Sequence, residues 1–143
     1  MYTYNSVAVG LGANIPSSIG SPISTLTAVR PQIKRVIYEW IQDDLEANKD
    51  FGILEKELEI RWSSLYETDP LGGPKDQPNF INAAGVISGE TLAAIEPCKD
   101  AAQRLLKRFL ELEISFGRDR NSAIVNNGPR CIDIDLLAWG QLQ

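Results

Sequence analysis

Histidine is absent from this 143-residue chain. Because histidine is the commonest metal ligand and a frequent general base, catalysis here has to rest on carboxylates, arginines and bound ions. Cysteine is scarce: Cys98 and Cys131 form no paired metal-binding spacing and are expected to be reduced thiols. No stretch approaches the ~18 apolar residues of a membrane span, and the N-terminus lacks the pattern of a secretory signal. We therefore expect a cytoplasmic protein that does not bind membranes.

An excess of positive charge is also missing, since the formal net charge is -5. Binding to nucleic acid depends on many lysine and arginine contacts to phosphates, so we expect no nucleic-acid partner. Arginines nevertheless cluster locally, because Arg118, Arg120 and Arg130 all come shortly before an aspartate pair. A local basic cluster in an acidic protein suits a small anion better than a polymer. We expect one domain, residues 1–143, that is monomeric and binds small molecules.

Hydrophobic periodicity divides the chain into four strands and two helices. The predicted strands are Ser6 to Leu11, Glu57 to Thr68, Phe80 to Ser88 and Cys131 to Trp139, and the predicted helices are Pro22 to about Gln42 and about Pro97 to Phe116. Pro31 should kink or break the first helix, and Asp43 to Lys56 should be a frayed helix end and a loop. The element order predicts an α+β fold, namely a ferredoxin-like βαββαβ sandwich with a mainly antiparallel four-stranded sheet and two helices on one face.

The last predicted strand carries two carboxylates. Successive side chains of a strand point to opposite faces, so Asp133 and Asp135 should share a face, roughly 6.6 Å apart. The opposite face is apolar and carries Ile132, Ile134, Leu136 and Ala138. Two solvated acids on a half-exposed strand are the plainer interpretation. Protonation, an arginine or a divalent cation would each relieve their repulsion, and the nearby arginines favour phosphate chemistry assisted by Mg²⁺.

Four segments of the sequence together resemble one enzyme family. They are LGAN (Leu11 to Asn14), YETDPLGGPKDQPNFINAA (Tyr66 to Ala84), ELEISFGRDR (Glu111 to Arg120) and GPRCIDIDLL (Gly128 to Leu137). In this order and at these intervals they are similar to the 6-hydroxymethyl-7,8-dihydropterin pyrophosphokinases of folate biosynthesis. The last segment is the most specific of the four, and the resemblance extends over most of the chain.

The resemblance implies that the diphosphate of ATP, a co-substrate, passes to the hydroxymethyl group of the pterin, giving pterin diphosphate and AMP. It implies that Asp133 and Asp135 bind two Mg²⁺ ions. The residues that it places at the pterin are Thr68, Asp69, Leu71, Phe80 and Asn82. The residues that it places at ATP are Glu113, Arg118, Arg120, Arg130 and Leu136. It gives catalytic roles to Arg118, Arg130, Asp133 and Asp135.

Several alternatives remain open at this point. From the residues alone, an aromatic side chain at the start of a strand, such as Phe80, is more often part of the core than a ligand contact, and Arg118 could simply cap the C-terminus of the preceding helix. A palm-type nucleotidyl transferase or cyclase also places paired aspartates on a ferredoxin-like sheet. The resembled family continues beyond the aspartate strand with further ATP contacts, and we expect this chain to lack that segment. The alternative function is therefore an inactive pterin-binding or regulatory module.

Overall fold

The computed structural model of the chain describes residues 5–45, 50–118 and 128–142. Five strands and four α-helices occur in these ranges, with a π-helical turn, Trp40–Asp44, directly after the first helix. In chain order they are β1 (Val7–Ala13), α1 (Pro22–Glu39), α2 (Phe51–Glu57), β2 (Glu59–Trp62), β3 (Tyr66–Thr68), β4 (Phe80–Ser88), α3 (Glu90–Ala93), α4 (Lys99–Ser115) and β5 (Asp133–Trp139). Within the described ranges, no helix is both long and apolar enough to cross a membrane.

The strands form one antiparallel sheet with the order β2, β4, β1, β5, and β3 also pairs with β4. The predicted α+β, ferredoxin-like architecture is confirmed. The sheet has five strands instead of the predicted four because Glu57 to Thr68 is not one strand. Its first residue, Glu57, ends α2, and the segment contains two short strands, β2 and β3, which lie one after the other along β4.

One face of the sheet forms the core. Val7, Val9 and Leu11 of β1 are buried beneath helices α1 and α4, which pack on this side. Trp40 and Trp139 meet edge to face with ring centroids 4.9 Å apart, and the Trp40 indole donates a hydrogen bond to the Ala101 carbonyl. Burial of each large apolar side chain contributes roughly 1.5–3 kcal/mol. The opposite sheet face carries Gly10 and Gly12 of β1 and remains open.

The first helix follows its sequence signals closely. Ser21 caps its N-terminus by accepting a hydrogen bond from the Ser24 amide, and Pro22 occupies the first turn. We expected a kink or a break at Pro31; the helix continues through it, so the break does not occur. Pro31 is on the exposed side, where water can bond to the carbonyl that has lost its partner, while Val29 and Ile33 anchor the same turn in the core.

The segment from Asp43 to Lys56 was expected to be irregular, and this is wrong for its last part. Helix α2 begins after Asp50, whose carboxylate caps it by accepting a hydrogen bond from the Gly52 amide at 2.8 Å. The buried Leu54 attaches this helix to the core. A short charged segment containing a glycine resembles a loop in composition, and one cap with one buried leucine is a weak sequence signal for a helix.

The pairing in the sheet is interrupted by one extra residue at two places, once between β2 and β3 and once within β5. Between β2 and β3 the register on β4 changes from Trp62 opposite Gly85 to Tyr66 opposite Asn82. The extra residue turns Tyr66 toward the open face, whereas strict alternation places it with Trp62 on the core face. Strand β5 has a similar irregularity opposite Ala8 and Val9.

The irregularity in β5 corrects the apolar face predicted for that strand. Leu136 lies opposite Val9 on the core face, as expected, but Ala138 lies opposite Ala8 on the open face. Trp139 takes the core position and is fully buried. Leu137, the extra residue, is half exposed.

Candidate active site

A groove of about 360 Å³ lies on the open face of the sheet. The five residues that the family resemblance places at the pterin all line it, namely Thr68, Asp69, Leu71, Phe80 and Asn82. Arg130, Asp133 and Asp135 line it as well. Strands β4, β1 and β5 supply the floor, and the loop of residues 69–79, hereafter the proline loop, supplies one wall. Segments far apart in sequence therefore meet at one concave site, which is the usual form of a small-molecule site.

The floor of the groove consists largely of backbone because β1 contributes glycines there. A Cβ atom on Gly12 would lie 3.1 Å from Oδ1 of Asn82, and one on Gly10 would lie 3.4 Å from the Leu137 side chain. Both glycines alternate with the buried Val9 and Leu11, so they point to the open face. The missing side chains give the groove its depth.

An amide and a hydroxyl form the polar corner of the groove. Asn82 lies opposite Gly12 on β4 and donates a hydrogen bond from Nδ2 to Oγ1 of Thr68 at 2.5 Å. The extra residue before β3 is what turns Thr68 to this face, opposite Phe80. A fixed amide beside an aromatic ring is suited to a flat heterocycle whose edge carries donors and acceptors.

Arg130 connects the aromatic part of the groove to its acidic part. Its guanidinium carbon lies 5.2 Å from the centroid of the Phe80 ring, a cation–π distance. Its Nη1 donates a hydrogen bond to Oδ2 of Asp133 at 3.3 Å, and its Nε donates one to the Gly128 carbonyl. Phe80 therefore lines the groove, with the guanidinium of Arg130 over its ring. The alternative that Phe80 is a core residue is not supported.

The two aspartates share the open face, as predicted. Asp133 lies opposite Gly12 and Asp135 opposite Gly10 on β1. The pKa of Asp135 is raised from 3.8 to about 6. Partial burial is the largest cause, and the charge of Asp133 and a hydrogen bond to Asp133 follow, whereas the charge of Arg130 lowers this pKa. Asp135 is the more exposed carboxylate, while Asp133 is held by two arginines. The pair therefore has an unfavourable concentration of negative charge that a cation would relieve.

Arg118 and Glu113 lie beneath Asp133 and do not line the groove. Arg118 donates hydrogen bonds from Nη1 to Oδ1 of Asp133 at 2.8 Å and to the Ile132 carbonyl at 3.0 Å. Glu113 is completely buried; its Oε1 pairs with Arg118 at 3.0 Å and its Oε2 accepts the Ile134 amide at 2.7 Å. In this structure both side chains form hydrogen bonds with the segment that carries Asp133, whereas the resemblance placed them against ATP.

Of the two further ATP residues expected from the resemblance, the described one, Leu136, does not line the groove. Leu136 is partly buried on the core face, because the hydrophobic alternation of β5 directs it toward Val9. Leu137, which was not predicted, lines the groove instead. Arg120 lies outside the described residues.

Sequence reasoning also missed the functions of Asn14 and Gly12. Asn14 was noted only as part of the LGAN segment, yet it is buried and connects the proline loop to the backbone of Arg130. A buried polar residue directly after an apolar strand was the available signal, since such a side chain needs partners. For Gly12 the signal was glycine on alternate positions of β1.

Known proteins share sequence similarity with this chain. The chain is 37% identical over 103 residues to the 2-amino-4-hydroxy-6-hydroxymethyldihydropteridine pyrophosphokinase of Pseudomonas aeruginosa. The matched region covers 72% of this chain and 54% of that protein. It is 36% identical over 100 residues to the folate synthesis bifunctional protein of Arabidopsis thaliana, covering 70% of this chain and 17% of the relative. The Haemophilus influenzae pyrophosphokinase is 35% identical over 81 residues, covering 57% of this chain and 42% of that protein.

The chain thus spans about half the length of the Pseudomonas relative and a smaller part of the Arabidopsis protein. A family model described as 7,8-dihydro-6-hydroxymethylpterin-pyrophosphokinase matches residues 8–143, a range that includes the whole groove. The chain belongs to the 7,8-dihydro-6-hydroxymethylpterin-pyrophosphokinase family.

Proposed function

We propose that this chain transfers the diphosphate of ATP to the hydroxymethyl group of 6-hydroxymethyl-7,8-dihydropterin. The pterin hydroxyl oxygen attacks the β-phosphorus of ATP, the bond from that phosphorus to the α,β-bridging oxygen breaks, and AMP leaves. The hydroxyl proton is released to solvent, so the products are the pterin diphosphate and AMP. Family membership supports this reaction, and the relatives that carry the name of the activity are the Pseudomonas and Haemophilus proteins.

One observation carries the proposal: a single groove is lined by an aromatic ring, an amide, an arginine and two carboxylates. Asn82 and Thr68 would bind the edge of the pterin, and Phe80 would offer its ring as an apolar surface. Asp69 and Leu71 of the proline loop would contact the same substrate from the side. The hydroxymethyl group would then point toward Arg130 and the aspartates.

Arg130 is the arginine best placed to act on the phosphates, because it is the one that lines the groove among the described residues. A guanidinium there would neutralise charge that develops on the transferred group. Arg118 would act indirectly by holding Asp133 in place. Arg120 and Leu136 remain predicted ATP contacts that derive from the resemblance alone.

Asp133 and Asp135 are the residues that would hold Mg²⁺. Carboxylate oxygens are ligands that Mg²⁺ prefers. The raised pKa of Asp135 reflects its burial first and then repulsion by Asp133, and a cation would relieve that repulsion. No group of three or more His, Cys, Asp or Glu side chains in the described part of the chain is arranged for a metal. Such an ion would thus complete its ligands with water and phosphate oxygens, and when bound it would neutralise phosphate charge. Two ions, as the resemblance implies, are part of this proposal.

The decisive experiment measures AMP release from ATP and Mg²⁺ with and without 6-hydroxymethyl-7,8-dihydropterin. We expect AMP and pterin diphosphate in equal amounts, only when the pterin is present, and loss of both in Asp133→Ala. Release of pyrophosphate instead would indicate a nucleotidyl transferase. Tight pterin binding without AMP would indicate a binding module, and either result would overturn the proposal. The cytoplasmic location, the monomeric state and the single domain expected from the sequence remain predictions.

A further inference from the structure

We propose that Asn14 is a positioning residue that fixes the proline loop to the Arg130 segment, so that the two walls of the groove keep one relative position. The identity of the ligand in this inference rests on the proposed function. The connection itself depends only on the contacts of Asn14. Asn14 follows the last residue of β1 and is 3% exposed, and it belongs to neither group of residues expected to contact the substrates.

Asn14 uses its backbone and both ends of its side-chain amide. Toward the Arg130 segment, the backbone N–H of Asn14 donates to the backbone carbonyl of Arg130 at 3.0 Å. The side-chain Oδ1 of Asn14 accepts from the backbone N–H of Arg130 at 2.9 Å. Toward the proline loop, its Nδ2 donates to Oε1 of Gln77 and to the Pro78 carbonyl, both at 3.0 Å. The Arg130 amide can only donate and the Pro78 carbonyl can only accept, so the orientation of the side-chain amide is determined by its neighbours.

The contact with Gln77 extends into the part of the proline loop that faces the groove. Gln77 donates from Nε2 to the Gly72 carbonyl at 3.2 Å. Gly72 and Gly73 have φ values of 72° and 73°, a left-handed turn that directly follows Leu71, which is 88% exposed and lines the groove. A chain of hydrogen bonds thus runs from β1 to the turn that places Leu71.

The contact with Arg130 acts on the other wall. Asn14 forms hydrogen bonds with both the backbone N–H and the backbone carbonyl of Arg130. The guanidinium of Arg130 lies over the Phe80 ring and donates to Asp133. A rigid backbone at this position limits where the guanidinium can lie. Because one buried side chain holds both walls, a change at Asn14 alters the groove without removing any residue that lines it.

Two variants separate the two halves of this connection. Asn14→Asp keeps the oxygen that accepts from the Arg130 amide but loses both donors to the proline loop, whereas Asn14→Ala loses the side-chain bonds on both sides. Asn5→Asp is the matched control. Asn5 also donates from its side chain to a backbone carbonyl, that of Ala93 at 2.9 Å, and it lies beyond the other end of β1.

Both readouts are independent of activity. Trypsin cleavage after the exposed Lys75 reports opening of the proline loop, and hydrogen exchange of the Arg130 amide reports the other side. We expect cleavage after Lys75 to be about tenfold faster in both Asn14 variants, and exchange at Arg130 to be about tenfold faster only in Asn14→Ala, since one lost hydrogen bond corresponds to about that factor. Asn5→Asp should change neither. An unchanged Asn14→Ala, or a control that matches it, would overturn the inference.

Pterin binding, measured by fluorescence titration without ATP, connects this result to function. We expect Asn14→Ala to bind the pterin about tenfold more weakly than Asn5→Asp at equal thermal stability. Unchanged affinity despite a released loop would refute a positioning role. A wild-type chain that binds no pterin would refute the proposed function, while cleavage and exchange would still decide whether Asn14 connects the two segments.

Discussion

Arg118 donates a hydrogen bond from Nη1 to Oδ1 of Asp133 across 2.8 Å. The same nitrogen lies 3.0 Å from Oε1 of Glu113, which is fully buried, and only 16% of the Arg118 side chain is exposed. A largely buried guanidinium is unfavourable unless its charge is paired and its donors are bonded. The position of Asp133 on the groove therefore depends on an acid that no ligand in the groove can reach.

Glu113→Gln tests this dependence. Glutamine keeps an oxygen that can accept the Ile134 amide, but Arg118 loses one of its two anionic partners. We expect the free energy of unfolding to fall by about 1–3 kcal/mol, measured by urea denaturation. Glu111→Gln is the control, because Glu111 is exposed on the same helix and should change stability by less than about 0.5 kcal/mol. Equal effects of the two substitutions would contradict the role of Glu113.

The two aspartates should respond differently to the same substitution. Asp133→Asn removes an anion that accepts hydrogen bonds from Arg118 and Arg130, so we expect stability to fall by about 1–3 kcal/mol. Asp135→Asn removes a charge that is repelled by Asp133, so stability should not fall. Both variants should reduce Mg²⁺-dependent AMP release on the order of 100-fold. Urea denaturation and the AMP assay on the same preparations check this contrast, and a loss of stability in Asp135→Asn would contradict it.

The pH dependence of stability should carry a signature of Asp135. Its folded pKa is about 6, above its ordinary 3.8, so between these values the folded state binds more protons than the unfolded state. The contribution of Asp135 to stability is therefore fully present below pH 3.8 and is lost as the pH rises through about 6. The difference in unfolding free energy between wild type and Asp135→Asn isolates it. A difference that stays constant from pH 3.8 to pH 6 would refute the shifted pKa.

Mg²⁺ affinity should vary with pH in the opposite direction. Protonation of Asp135 removes one of the two carboxylates that would hold the ion, so Mg²⁺ binding should weaken as the pH falls through about 6. Mg²⁺ binding to the wild type can be measured by calorimetry at pH values from roughly 5 to 8, a range that brackets the protonation of Asp135. Asp135→Asn should show a flatter dependence, and a wild-type affinity that is the same across the range would count against the assignment.

Long periodic segments were predicted well because many side chains repeat the same signal. Strand β4 has the predicted bounds, Phe80–Ser88, and its Phe80 and Asn82 share the open face. Helix α4 runs from Lys99 to Ser115 within the predicted range, and Gly117, at φ 99°, ends it. These features follow from local patterns, whereas the residues expected at the pterin, which line the groove, came from the family resemblance.

Features set by single residues were not predictable. One inserted residue in a strand reverses the faces of all the residues beyond it, yet it leaves no mark on a hydrophobic pattern that tolerates exceptions. Leu137 reaches the groove for this reason, and so does Thr68, which the resemblance predicted but the hydrophobic pattern did not. The burial of Glu113 was hidden as well, because acids on a helix are usually solvated and its partners come from another element.

The glycine floor gives the last prediction. In Gly12→Ala the new methyl group would lie 3.1 Å from Oδ1 of Asn82 and 4.0 Å from Cδ1 of Phe80, between the two side chains proposed to bind the pterin. We expect pterin affinity to fall about tenfold as the Asn82 amide is displaced, while stability changes by less than about 1 kcal/mol because alanine suits a strand at least as well as glycine.

Gly10→Ala is the comparison for this variant. The atoms nearest to its methyl group would belong to the flexible side chain of Leu137, at 3.4 Å, so Leu137 can rotate away and the corner formed by Gly12, Phe80 and Asn82 stays intact. Fluorescence titration with the pterin, together with thermal denaturation, should separate the two variants: both fold as wild type does, and Gly12→Ala alone loses about tenfold in affinity. Equal affinities would show that the pterin does not occupy the corner formed by Gly12, Phe80 and Asn82, and would move the proposed binding mode toward the Leu137 end of the groove.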